Sequence, residues 1–459
     1  MTPRPLLLGL TVRTLGAWPY GWRAPGAHRD PRDDPRVLRE LAVAADRAGI
    51  DLLHFGDWLA TSVDFERGDA YLLARVEPLA AVAHLAAITE RIGFVVTVNA
   101  GYVDAYSLAR STAAIDLLSA GRLGLAITTS TDAATARNFG GRSIDSDFER
   151  ATAAAELIEA LHALWDSWEH DAFVADVAEA RLVEPARLHA GGFLGRHHSS
   201  VGPLNAVRPP QGHLPLLLPA TTLRARELAA RYADAVLATA TTVEDALRLR
   251  DDVRRAASAP ERAEPAVLVP VLPIVGADDD EAWAAYDDLV GLVPVADAAT
   301  ADADAVPAER SIRGLGRLLD VSLSGVLLDE PVPRRLAERF APVGRLLVKT
   351  AGERSGRRIG AERPITWRQL LVANLVRSNV VVGSAARVAD ELERWSAGRA
   401  ADGFTVLSAT LAHGHRFVDD VVPELRRRGR LHENTPGTLR ERLGLEPAPN
   451  GYVRRLALH

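Results

Sequence analysis

Short, continuous apolar runs recur along the chain, and each is followed by a longer segment with helical periodicity. "PLLLGLTV" (5–12) predicts a buried strand. In "PRVLRELAVAADRAGI" (35–50), Val37, Leu38, Leu41, Ala42 and Ala45 fall at helical spacing, and Gly49 stands where a helix-ending glycine belongs. "DLLHFGD" (51–57) predicts the next strand, and "EPLAAVAHLAAITERIG" (77–93) a helix with Pro78 in its first turn and an end near Gly93. The alternation continues: strand 94–99, helix 107–122, strand 123–130, helix 148–168. A long irregular stretch then runs to about His213, before a strand at 214–218 and a helix at 223–232. Further strands are predicted at 234–240, 266–276 and 402–408.

These strands do not alternate polar and apolar, so both of their faces are buried. That pattern belongs to a parallel sheet covered by helices. A doubly wound sheet and a closed (β/α)8 TIM barrel both fit it. No G-x-G-x-x-G follows the first strand, and the units repeat well past residue 200, which favours the α/β barrel. The expected organisation is one barrel over 1–429, carrying an inserted segment around 277–380, and a C-terminal extension over 430–459. The insertion contains "VADAATADADAVPAERS" (295–311), with the composition of a mobile surface segment. The tail has few core signals and is expected to wrap the barrel or a partner subunit.

Composition narrows the function classes. Of 459 residues, 47% are apolar, enough for a large core. The 54 basic and 60 acidic residues are interspersed, and a net charge of −6 gives no footprint for nucleic acid. The absence of cysteine excludes disulfides, thiolate nucleophiles and Cys-ligated metals. No run reaches membrane-spanning length and the N-terminal apolar run is short for a secretion signal, so no membrane contact and a cytoplasmic location are expected.

In a barrel, chemistry sits at the C-terminal ends of the strands. That rule selects Thr11 and Arg13, Asp57 and Trp58, Thr97 and Asn99, Thr128, Thr129 and Ser130, then Thr221 and Thr222. Hydroxyls and amides dominate, and Asp57 is the clear acid among them. There is no H-E-x-x-H, and the adjacent His197 and His198 point apart in extended chain, so no metal is expected. Residues of this kind suit a bound cofactor that brings its own reactivity. Thr221 or Thr222 can cap the helix that follows, or that helix end can receive a phosphate, with Arg224 and Arg226 nearby; both readings stand. Trp18, Tyr20 and Trp22 suit either a substrate pocket or core packing.

Several stretches carry a resemblance. "RNFGG" (137–141), "LWDSWEHDAFV" (164–174), "SVGPLNAVRPPQG" (200–212), "FVDDVVPELRRRG" (417–429) and "GTLRERLGL" (437–445) are similar, in this order, to the nitrilotriacetate/dibenzothiophene-sulfone monooxygenase branch of the bacterial luciferase-like flavoproteins. The resemblance covers nearly the whole chain. It implies a (β/α)8 barrel that takes reduced FMN from a separate NAD(P)H:flavin reductase and uses O2 to oxygenate a small organic substrate, and it implies a homodimer. Family FMN positions fall on Asp57, Thr97 and the pair Thr221–Thr222, where threonines replace serines. Other positions depart from the pattern. Leu125–Ala126 stand for Trp-Asn, Asp147 and Ala151 stand for a His and a Tyr at the start of a helix, and Ala225 replaces a glycine. These changes keep an alternative open: a divergent paralogue with weakened or lost FMN binding, non-catalytic or using a deazaflavin.

Overall fold

The computed structural model describes residues 5–456 except 64, 66, 67, 130, 131, 145, 258–262, 294–311, 324, 377, 434 and 435. Ser130 and the Ala/Asp-rich segment 295–311 lie outside the described residues. The strands in chain order are β1 (Leu7–Thr11), β2 (Leu52–Phe55), β3 (Gly93–Asn99), β4 (Leu123–Thr128), β5 (Phe173–Asp176), β6 (Arg181–Val183), β7 (Phe193–Leu194), β8 (Ser199–Ser200), β9 (Leu216–Pro219), β10 (Ala235–Leu237), β11 (Ala266–Gly276), β12 (Asn379–Ser384) and β13 (Gly403–Leu407).

Parallel pairing runs β1–β2–β3–β4–β9–β10–β11–β13 and returns to β1, so eight strands close a barrel with helices between them. These eight are the strands that the apolar runs predict, with somewhat different ends. The ninth parallel strand, β12, overlaps the end of the segment assigned to the insertion, and no sequence signal singled it out. Its cause lies in β11. Only Ala266–Leu268 pairs with β10, and only Leu268 to Val271 with β13. The remaining half of β11 would expose an open edge, and β12 covers it from Val271↔Asn379 to Gly276↔Ser384. The Asn379 amide fixes this register by donating to the carbonyls of Ala240 (3.0 Å) and Pro270 (3.2 Å).

The helix predicted over 77–93 spans only Pro78–Ala86. Buried Arg122 accounts for the early end. Its guanidinium donates to the carbonyls of Ala86, Thr89 and Ile92, each at 2.9 Å, while the Asp46 carboxylate accepts the N–H groups of Glu90, Arg91 and Ile92. Backbone groups that a longer helix would pair with one another are satisfied by side chains.

The lower barrel interior is filled by Leu7, Leu52, Val95, Ala126, Leu217, Ala235 and Leu268, together with Leu439 from the tail. A side chain at Gly93 would meet Leu439 Cδ1 at 2.6 Å, and one at Gly124 would meet Cδ2 at 2.9 Å, so the two glycines make room for this plug. Thr438 and Glu441 form a capping box on the short helix Leu439–Arg442 that carries it. The tail therefore packs on the barrel of its own chain and closes its N-terminal end. The inserted segment gathers a separate apolar cluster around Leu319, Phe340, Leu347, Trp367 and Leu370.

Candidate functional site at the barrel mouth

On β2 and β3 the inward-facing positions change from apolar to polar on moving up the strand. On β2, Leu52 faces the filled interior and His54, two residues on, faces the same way. On β3 the same step leads from Val95 to Thr97. The two polar residues meet: His54 Nε2 lies 3.1 Å from Thr97 Oγ1. Burial lowers the His54 pKa from its ordinary 6.5 to about 4, and the positive charge of Arg13 acts in the same direction. The imidazole is thus neutral at physiological pH, with one nitrogen engaged by Thr97.

Two ion pairs flank this contact. Asp57 Oδ1 accepts from Arg75 Nη2 (2.7 Å) and Nε (3.1 Å), and also takes the Trp58 N–H at 2.8 Å. Arg13 Nε donates to Asp69 Oδ2 at 2.8 Å. Both guanidiniums lie over the Tyr71 ring, at 5.0 Å for Arg13 and 5.7 Å for Arg75. Tyr71 is buried, and burial pushes its phenol up to about 12. Arg13, His54, Asp57, Tyr71, Arg75 and Thr97 form one polar wall over the ends of β1 to β3. Asp57 and Thr97 stand among the residues the sequence reading picked out. His54, Tyr71 and Arg75 were missed, although a histidine at the same-face position after Leu52 was a usable signal.

A second group lies on the rim above β9. The helix Leu223–Tyr232 is capped by Thr222, whose Oγ1 accepts from the Ala225 N–H at 3.2 Å. The same hydroxyl donates to Asp147 Oδ2 at 2.9 Å. Asp147 is the first residue of the helix Asp147–Trp165, so its carboxylate stands where two helix N-termini meet. Asp147 and Thr222 are therefore in direct contact. Thr221 is exposed beside them, and Ala151, one turn further along its helix, offers only a methyl group. Thr222 therefore acts as the cap of the helix Leu223–Tyr232. Leu125 and Ala126 are both fully buried; Ala126 faces the interior in register with Thr97 and brings no polar group there.

The histidine pair has separate partners. His197 Nε2 contacts Glu149 Oε2 at 2.9 Å, whereas His198 Nε2 contacts the Ala100 carbonyl oxygen at 3.0 Å. Both line a cavity of about 390 Å³ with Arg142, Glu149 and Arg196, beyond the end of β3. Among the described residues no three His, Asp or Glu side chains are arranged to hold a metal ion. Trp18 belongs to the core, buried with its Nε1 donating to the Leu289 carbonyl at 2.8 Å and its ring edge-on to Tyr286. At the end of β13, partly buried His413 contacts Thr410 Oγ1 at 2.9 Å, and burial, then Arg416, lowers its pKa to about 4.

The polar wall lies at the C-terminal mouth of a closed barrel, the end at which barrel enzymes place their active sites. Residues 20–402 match the family described as luciferase-like monooxygenase, and the chain belongs to that family. It is 30% identical to N-acetyl-S-(2-succino)cysteine monooxygenase of Bacillus subtilis, over 97% of this chain and 98% of the relative. It is 31% identical to component A of nitrilotriacetate monooxygenase from Aminobacter aminovorans, again over 97% and 98%. Among solved structures, EDTA monooxygenase from Chelativorans sp. BNC1 superposes with a TM-score of 0.75 at 27% identity, covering 98% and 100% of the two chains. The resemblance read from the sequence holds, and the chain is an enzyme of the flavin-dependent monooxygenase class. Among the described residues no helix is long and apolar enough to cross a membrane.

Proposed function

We propose that this chain is the oxygenating component of a two-component system, taking reduced FMN from an NAD(P)H:flavin reductase and using O2 to oxygenate a small organic substrate. The observation that carries the reading is the polar wall of His54–Thr97 and Asp57–Arg75, set inside the mouth of a barrel of this family. Such fixed donors and acceptors suit the polar edge of a flat heteroaromatic ring, and Asp57 and Thr97 are themselves two of the positions that the family resemblance assigns to the flavin. A bound reduced flavin supplies the activation of O2, and the protein supplies position and exclusion of water. In this reading the wall orients the ring, and neutral His54 offers a hydrogen bond without adding a further positive charge to those of Arg13 and Arg75. The name "component A" of one relative supports a separate reductase partner. A homodimer and the domain division at about residue 429 belong to the same proposal.

The test is a titration of the protein with oxidised and reduced FMN under low oxygen, followed by flavin absorbance and fluorescence. Saturable binding of the reduced form is expected. Absence of saturation by either form below about a millimolar, a binding free energy of about 4 kcal/mol, would refute the reading.

A further inference from the structure

The rim of the site does not suit a phosphate as well as the wall suits a ring. A helix N-terminus draws anions because its first N–H groups are unpaired and the helix dipole is positive there. Here a carboxylate of the chain itself stands at that place. Asp147 Oδ2 accepts from Thr222 Oγ1 at 2.9 Å, and Thr222 in turn accepts from the Ala225 N–H. The nearby guanidiniums already face carboxylates. Arg150 lies 3.5 Å from Asp147 itself, Arg224 donates to Glu227 at 2.7 Å while lying over the Phe148 ring, and Arg226 pairs with Asp252. A phosphate arriving at Thr221–Thr222 would meet a like charge, and each of these three arginines has a carboxylate partner already.

We infer that Asp147 is a specificity-determining residue that acts as a built-in anion at the rim, so that the flavin's phosphate adds little to binding and a flavin with an uncharged ribityl end is accepted about as well. The inference rests on the flavin reading above and concerns only the phosphate end. A neutral side chain at this position would leave the Thr222 hydroxyl and two helix N-termini to an incoming anion. The carboxylate reverses that balance by Coulomb repulsion at short range in a partly screened site.

The experiment compares FMN with riboflavin, both reduced and both oxidised, on the wild-type chain and on Asp147→Asn. Ser146 caps the helix Asp147–Trp165 through its own hydroxyl, so the cap survives the substitution. Asp147→Ser provides the same comparison if the asparagine variant does not fold. In the wild type the two flavins are expected to bind within about fivefold of each other. In Asp147→Asn the preference for FMN over riboflavin should rise on the order of tenfold, with riboflavin affinity nearly unchanged. Salt gives a second readout with a sign. Raising ionic strength should improve FMN relative to riboflavin in the wild type, where it screens repulsion, and worsen it in the variant. A wild-type preference for FMN of tenfold or more, or a ratio unmoved by both substitutions, overturns this inference and leaves the flavin reading standing. No saturable binding of either flavin to any form overturns both.

Discussion

His54 offers a measurement that reports directly on the wall of the site. Its pKa of about 4, against an ordinary 6.5, means that the folded chain refuses a proton that the unfolded chain accepts between these values. Unfolding therefore becomes easier as pH falls through this window, and this group contributes no further change above about pH 6.5. The two pKa values give a loss of about 2 kcal/mol between pH 7 and pH 5, and about 3 kcal/mol by pH 4. Other groups act in the same range, among them His198, whose pKa burial also lowers, so that it adds a loss of the same sign. His413, also near 4, adds a loss of the same sign. Asp116, raised to about 6 chiefly by burial, acts oppositely, since its folded form holds a proton that the unfolded form releases. The clean quantity is thus the difference between the wild type and His54→Gln, which keeps an amide able to meet Thr97 but cannot titrate. Urea unfolding at pH 7, 6 and 5 should show the variant losing about 2 kcal/mol less than the wild type over that interval. Imidazole NMR should place the His54 titration near 4, and Arg13→Gln should raise it while leaving it below 6.5, because burial is the larger cause. Stability slopes parallel within about 0.5 kcal/mol, a margin near RT, or a His54 titration between 6 and 7, would refute the reasoning.

The barrel plug predicts a coupled pair. Leu439→Ala should cost about 2–5 kcal/mol and Gly93→Ala about 1–3 kcal/mol in urea unfolding, but the double variant should cost about 1–2 kcal/mol less than their sum, because the methyl group added at position 93 then occupies space the leucine has left; strict additivity would mean that the tail does not enter the barrel. Trp18→Phe removes the hydrogen bond to Leu289 and should lower stability by about 1 kcal/mol. Once a substrate is known, steady-state KM should change less than about twofold in that variant, a difference below about 0.5 kcal/mol, and a larger rise would return Trp18 to the substrate pocket.

Most of the barrel was legible in the pattern of apolar runs, because strands buried on both faces must be continuously apolar and the covering helices must be amphipathic. β12 was not legible. "NVVVGS" is an ordinary short apolar run, and what makes it part of the sheet is the excess length of β11. In the stretch 164–174, one of those that carried the family resemblance, Trp165, Asp166 and Ser167 turn out to be scaffold. Trp165 is buried and donates to the Ala109 carbonyl, Ser167 bridges Leu164 and Leu204, and Asp166 gathers Arg208, His213 and the Gly451 N–H at the root of the tail. They hold the long connector and the tail against the barrel, away from the polar wall.

Fold class, family and the two positions that a strand-end rule reaches, Asp57 and Thr97, could be read from the linear chain. These follow from local periodicity and from residues whose meaning depends on chain neighbours. The partners of these residues arise only on folding. Nothing in the linear order joins His54 to Thr97, Asp57 to Arg75, or Asp147 to Thr222, since each pair comes from separate strands, loops or helices that meet only when the barrel closes. The same closure makes His54 a neutral group and sets Asp147 at the place where a phosphate was expected, because burial and charge proximity exist only in the folded chain.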